Sequence, residues 1–388
     1  MIKKITFGIL ILALVSVSFL AACGGSDTTA PAPAPGPAPA PGPAPAPGPA
    51  PAPGPAPAPG PVEVIEITYA ANTPAFAAIM VLHDEWCRRV EAASNGEIKM
   101  NFYPGGALLK SAEARPGVQS GIADMAVFAA SEQPGYADLG AYVRLPLLGF
   151  KSWLQAERIY RQIYTEFPEL NAEYTNDGLK TYAMRIMPPQ EIQTVDTPVR
   201  LPADVRGMKI FATGEIAELM QMAGAAPAFV GPGEWYTSLD RGLLGGLVLH
   251  DAASKVFGLI PLYNYKTYMG TAGITVQPQV IAINLDTWNS WPNSVKKVFN
   301  DLEPKFLEDI YAVDVNEIVT GREIHMEDGN EILELTPAEM EAWYFLAKPM
   351  HEEWVVKMEA RGLPARAIFD RTKELIKTVP ADEPYYTK

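Results

Sequence analysis

The stretch 201-LPADVRGMKIFATGEIAELMQMAGAAPAFVGPGEWYTSLDRGLLGGLVLHD-251 decides how the rest of the chain is read. Residues 208–212 are short and mostly apolar, as a buried strand requires. Thr213 is placed to cap a helix that carries Glu215 in its first turn, and Gly224 supplies the residue for which a left-handed conformation is cheap. Residues 226–230 give a second strand, 234–241 a second helix stopped by Gly242, and 247–249 a third strand. That β-α-β-α-β alternation predicts a parallel sheet with covering helices.

Outward from this unit, the chain has 388 residues and a net charge of -14. Such an acidic balance excludes a nucleic-acid binder, because phosphate contacts need clustered Lys and Arg. Lys3 and Lys4 precede an apolar run over 5–20 that is too short to span a bilayer and ends in Leu20-Ala21-Ala22-Cys23. This is the pattern of a secretory signal, and its ending resembles a bacterial lipobox in which Cys23 becomes the lipidated first residue. Residues 1–22 are therefore expected to be removed. The second cysteine, Cys87, falls beside Trp86 on a helix whose apolar face holds Ile79, Leu82 and Val90, and no disulfide is expected.

From 31 to 60 the unit PAPAPG repeats five times without a charge. Proline at this density favours polyproline II, so residues 23–62 read as a lipidated N-terminus and a semi-rigid spacer reaching on the order of 90 Å at about 3.1 Å per residue. Beyond it, strands are expected over 64–70, 98–103, around 124–126, over 182–187 and over 279–284. Pro292 sits where a helix starts, and Val295, Phe299, Phe306 and Ile310 keep helical spacing, with Pro304 expected to kink or split that helix. Thr336-Pro337-Ala338-Glu339 is a capping box. Residues 63–187 with about 275–318 should form one lobe, and 188–274 with about 319–388 the other, the C-terminal helices included. The fold class is α/β, two-lobed and periplasmic-binding-protein-like, with hinge strands and a long connecting helix. A cleft between the lobes is the default ligand site.

Pro202, Asp204, Gly207, Lys209, Ile210, Gly224, Ala225, Pro227, Glu234, Tyr236, Leu239, Gly242 and Gly246 form an ordered series, joined by Val118-Gln119-Ser120-Gly121 and Asp124-Met125-Ala126 earlier in the chain. This series resembles the substrate-binding proteins of TRAP transporters, the DctP-type family, over about residues 65–318. The resemblance implies capture of a small organic solute outside the cytoplasm, in the periplasm or at the cell surface. It also implies delivery to a permease of one large and one small integral-membrane subunit. A ligand sensor built on the same clamp, and less readily a cleft enzyme, are the alternatives. No zinc helix, P-loop or nucleophile elbow supports catalysis.

The resemblance also implies two arginines and an asparagine that hold a carboxylate, and here the match fails. Those positions fall at Glu191, Phe211 and near Leu249. Two ligand classes follow. Phe211, Trp235, Tyr236 and Leu249 would line a slot for an aromatic or apolar solute whose polar or cationic end meets Glu191. Alternatively an organic acid would be neutralised by Arg185, or bridged by a divalent cation on Glu191, Glu234 or Asp251, no other cofactor being expected. The candidate ligand shell is Asn72, Phe128, Arg185, Gln190, Glu191, Phe211, Glu234, Trp235, Leu249 and His250.

Overall fold

The computed structural model describes residues 64–133 and 138–381, together with Gly36 and Gly42. The expected signal, the lipidated Cys23 and the rest of the spacer lie outside the described residues. Among those described, no helix is long and apolar enough to cross a membrane.

The first lobe is built from β1 (Ile65–Ala70), α1 (Ala78–Ala93), β2 (Ile98–Tyr103), α2 (Ala114–Gln119), β3 (Met125–Ala129), α3 (Trp153–Glu166), α4 (Pro168–Thr175) and β4 (Leu179–Ile186). Expected strands and observed strands agree to within a few residues. The chain then crosses to a second lobe of β5 (Glu191–Thr194), β6 (Lys209–Phe211), α5 (Gly214–Met222), β7 (Ala226–Ala228), α6 (Trp235–Asp240), β8 (Gly246–Leu249), α7 (Asp251–Val256) and β9 (Tyr265–Tyr268). It returns through β10 (Pro278–Asn284) and α8 (Leu285–Ser290) to α9 (Asn293–Glu327), β11 (Glu331–Glu334), α10 (Pro337–Glu359) and α11 (Ala365–Thr378).

Two sheets result, in the orders β2-β1-β3-β10-β4 and β11-β9-β5-β8-β6-β7. β6 runs parallel to both β7 and β8, so the stretch that opened the sequence reading folds as the parallel unit it predicts. The sheets are nevertheless mixed: β10 is antiparallel to β3 and β4, and β5 is antiparallel to β8 and β9. These are the strands that flank the crossings between lobes.

The two crossings touch where Gln190 bridges Thr275. Gln190 donates its N–H to the Thr275 carbonyl at 2.9 Å and accepts from the Ile274 N–H at 2.9 Å. Gly273 makes this approach possible, since its φ is +63° and a Cβ there would lie 2.4 Å from the Gln190 carbonyl oxygen.

α9, 35 residues and about 50 Å long at 1.5 Å per residue, packs its N-terminal half on α1 and its C-terminal half on α7. It joins the lobes along one side. Pro304 does not split it: the carbonyl that loses its partner belongs to Asn300, which is exposed, so water takes the place of the missing N–H. The lobe-1 core under α9 is aromatic, with Trp86 stacked on Phe306 at 4.8 Å and 18°. Each such side chain, fully buried, contributes about 1.5–3 kcal/mol. Cys87 is buried in this core, where desolvation pushes its thiol up out of the reactive range.

At the C-terminus, Thr336 and Glu339 form the expected reciprocal cap of α10. Trp343, Ala347 and Met350 of that helix enter the second-lobe core, whereas Trp354, Val355 and Met358 join the core of α3 and α11. α11 packs on α3, so the last helix, in the stretch expected to go with the second lobe, lies against the first.

Candidate functional site

The cleft opens at the carboxyl ends of the strands in both lobes, where side-chain placement is set by loops that leave a rigid sheet. The cavity between its walls has a volume of about 110 Å³ and is open to solvent at its mouth. The first-lobe wall carries Asn72 and Thr73 after β1, Ala129 and Glu132 at the end of β3, Arg185 and Met187 at the end of β4, and Gln277 and Gln279 on the return crossing. The second-lobe wall carries Phe211, Thr213, Trp235, Leu249 and His250, then Ala253, Val256 and Phe257 on and just after α7. α9 closes the back with Val313, Asp314 and Glu317.

The second-lobe wall is aromatic. Phe211 meets Trp235 edge to face at 5.1 Å and 60°, and Trp235 meets Phe257 at 5.0 Å and 75°. Phe211, Trp235 and Leu249 are each only 5% exposed, so they belong to the lobe core and show the cleft just their edges. The Trp235 indole N–H is already used, donating to the Val230 carbonyl at 3.2 Å. The wall is therefore apolar at the point where the family resemblance implied a guanidinium.

Arg185 does face the cleft, but it is spoken for. Its Nη1 pairs with Asp314 and its Nε donates to Gln279 Oε1 at 2.9 Å. Burial raises the Asp314 carboxyl to about 6, with Arg185 pulling it back down, so the pair is largely ionised at neutral pH. Glu317 is likewise matched, to Lys255 at 3.2 Å. His250 caps α7, its Nδ1 accepting the Ala253 N–H at 3.2 Å. Burial, and behind it the charge of Arg185, lowers its imidazole to about 4. The neutral ring must then carry its proton on Nε2, where it is a hydrogen-bond donor.

Four candidate residues are not where the sequence reading put them. Phe128 is buried in the first-lobe core with Val118 and Val280, because alternation along β3 turns it away from the cleft. Glu191 follows Gln190 by one residue, and the same alternation turns it behind the sheet. There its carboxylate meets Lys266 Nζ at 2.7 Å, and Lys266 also binds Asp251. Glu234 ends a short 3-10 turn and is exposed. Tyr236 is exposed too, at 46%, and lines nothing. The three carboxylates named for a divalent cation therefore do not form a site: Asp251 and Glu191 share a lysine, and Glu234 points to solvent. Among the described residues, no group of three His, Cys, Asp or Glu side chains is arranged to hold a metal.

Asn72, Arg185, Gln190, Phe211, Trp235, Leu249 and His250 do come together around the cleft. Missed were Glu132, Gln277, Gln279, Asp314 and Glu317. Asn72, just past β1, and Glu132, just past β3, both follow strand ends that open on the cleft. Asp314 and Glu317 are three apart on α9, the spacing that puts two side chains on one face.

The family of bacterial extracellular solute-binding proteins, family 7 (DctP), matches residues 68–357. Among solved structures, the chain is 27% identical to a TRAP periplasmic solute-binding protein from Desulfovibrio salexigens, with a TM-score of 0.69, covering 84% of this chain and 99% of that one. That structure is an open complex with the C-terminus of a symmetry mate in its ligand-binding site. A marine-metagenome TRAP solute-binding protein specific for aromatic acids, solved with 3-hydroxybenzoate, is 22% identical with a TM-score of 0.73, over 83% of this chain and 100% of that one. A Bordetella bronchiseptica protein with bound mandelate is 19% identical at the same TM-score, over 81% and 100%. The last two matches establish the fold.

Proposed function

This chain belongs to bacterial extracellular solute-binding protein family 7, the DctP family of TRAP solute-binding proteins, and we propose that its solute has an aromatic or otherwise apolar body held against the second-lobe wall of the cleft. One observation carries the reading. Where a guanidinium clamp would stand, Phe211, Trp235 and Phe257 form an edge-to-face series, and the cleft's one arginine among the described residues is neutralised by Asp314. A bare carboxylate entering this space would have to displace Asp314 or remain unpaired, which is costly in a dry cleft.

Capture works by closure of the lobes about the crossings at Gln190 and Thr275, with ligand shifting the population toward the closed form in proportion to its preference for it. The joined surface of the closed form is what a TRAP-type permease, with its large and small membrane subunits, receives. Cys23 anchors the protein by a lipid, and the PAPAPG spacer lets the lobes work far from the membrane; the lipobox-like Leu20-Ala21-Ala22-Cys23 and the proline repeat support this. The place of action is outside the cytoplasm, in the periplasm or at the cell surface.

The test is native mass spectrometry of the purified full chain, to identify what co-purifies, repeated on Phe211→Arg. An aromatic solute present in the wild type and absent from the variant agrees with the reading. A simple aliphatic carboxylate in the wild type, retained or bound more tightly by Phe211→Arg, defeats it.

A further inference from the structure

The cleft's charges do not balance. Of its ionisable groups, Arg185 is matched by Asp314, Glu317 by Lys255, and His250 is neutral. Glu132 remains. It sits beyond the end of β3, with a little surface toward the cleft and protein around the rest. Its Oε2 accepts from Ser111 Oγ and, at a long 3.4 Å, from Asn72 Nδ2, and no cation among the described residues pairs with it. Burial raises its carboxyl to about 7. A carboxylate in that position is unstable by itself and becomes favourable when an opposite charge arrives.

A second polar group waits across the cleft. His250 is nine-tenths buried, lines the cavity, and its Nε2–H has no partner among the described residues. One wall thus offers an unmatched acceptor, the other a neutral donor, and aromatic edges lie on the donor's side.

Resting on the aromatic-solute reading above, we infer that the solute is an aromatic amine, bound as its ammonium ion, with the ammonium on Glu132 and the ring against Phe211 and Trp235. His250 Nε2–H then meets a hydroxyl or carbonyl oxygen of the solute where it has one. A carboxylate ligand would face the opposite situation: it would find no unpaired cation, since Arg185 is held by Asp314 and Lys255 by Glu317, and it would share the cleft with Glu132. The other charged groups near Glu132 do not change the balance. Lys110 and Glu113 flank Ser111, but Lys110 is exposed and Glu113 accepts the Lys110 backbone N–H.

The probes are 2-phenylethylamine, 2-phenylethanol and 3-phenylpropanoate, similar in shape and carrying +1, 0 and -1. Each is titrated calorimetrically into the purified full chain at pH 6 and pH 8. The amine should bind tightest, and roughly tenfold tighter at pH 8 than at pH 6, because ionised Glu132 is what it pairs with. Glu132→Gln should weaken the amine by about 30-fold or more and leave the alcohol within about threefold, which also shows that the variant is folded. Tighter binding of 3-phenylpropanoate than of the amine, or an amine affinity unchanged in Glu132→Gln, overturns the inference while alcohol binding keeps the aromatic slot. Failure of all three probes to bind overturns both.

Discussion

Replacing Lys266 with methionine isolates the role of the charged cluster behind the cleft. Lys266, 2% exposed, holds Glu191 at 2.7 Å and Asp251 on its other side, tying β9 to β5 and α7. Burial pushes the Glu191 carboxyl up to about 7, whereas the cation beside Asp251 outweighs burial and holds that carboxyl below the usual range. Removing the ammonium leaves two buried carboxylates together. One of them protonates easily, since Glu191 is already half-way there at neutral pH. Asp251 is left uncompensated, and removing one partner of a buried pair costs about 3–5 kcal/mol. With roughly 310 described residues and about 2.1 cal/mol/K of unfolding entropy for each, the melting temperature should fall by about 5–8 °C. Asp251→Asn in the same chain should recover most of that, because it removes the stranded charge. Differential scanning calorimetry at pH 7 is the assay, with ligand titration alongside. A Lys266→Met protein that melts within a degree of wild type but loses its solute would refute the argument and return Glu191 and Asp251 to the ligand site.

Two further outcomes are expected. Glu132 has a native carboxyl near 7 against an ordinary 4.5, so the native state binds the extra proton between those values and unliganded stability falls as pH rises from about 4.5 to 7. Glu132→Gln should remove that dependence and gain about 1–3 kcal/mol over wild type at pH 8 relative to pH 5; denaturant curves with a pH-independent difference would show that the carboxyl is not perturbed. Arg144, on a turn packed in the core of α3, pairs at 2.8 Å with Glu215 in the first turn of α5, and so ties the lobes outside the cleft. Arg144→Met should favour the open form, enlarge the unliganded radius of gyration by small-angle scattering and weaken solute binding by about 3–30-fold; unchanged scattering with unchanged affinity would mean the pair ties nothing.

The parallel half of each sheet was legible because its signals are local. An apolar strand, a helix and a glycine with positive φ recur in order, and each is decided within about ten residues; Thr213, expected to cap α5, stands at its N-terminus but makes no side-chain capping hydrogen bond. The second-lobe strands beside the hinge were not legible. Residues 191–194 and 265–268 read EIQT and YKTY, with no apolar run, because their polar side chains are buried against one another and not against an apolar core. Glu191 was taken for a cleft residue because the first clamp arginine implied by the resemblance falls there, and a single step of strand alternation separates it from Gln190, which does face the cleft. Glu132 gave no local signal at all: it lies in a short turn past β3, and only the three-dimensional rule of strand ends selects it. Asp314 and Glu317 were hidden by the reading of α9 through its apolar residues, which account for the face on α1 and not for the face that backs the cleft.

The buried cluster and the cleft are separate in contact but joined through α7. His250 is the residue before Asp251 and its Nδ1 caps α7, the helix that Asp251 begins, so what holds Asp251 also holds the helix end on which the His250 ring is set. Asp251 is held from three directions: by Lys266 on β9, by Gln193 on β5 at 3.4 Å, and by His325 on α9 at 3.3 Å. α9 comes this close because residue 321 is glycine, where a Cβ would sit 2.4 Å from that of Asp251. Sequence position 321 thus sets how closely α9 approaches Asp251. A donor held this firmly loses little freedom when a solute accepts its hydrogen bond, and that is what a binding site gains from a rigid polar lattice behind it. It also explains why a cluster of four ionisable side chains persists in a lobe core where apolar residues of similar volume would serve stability as well or better.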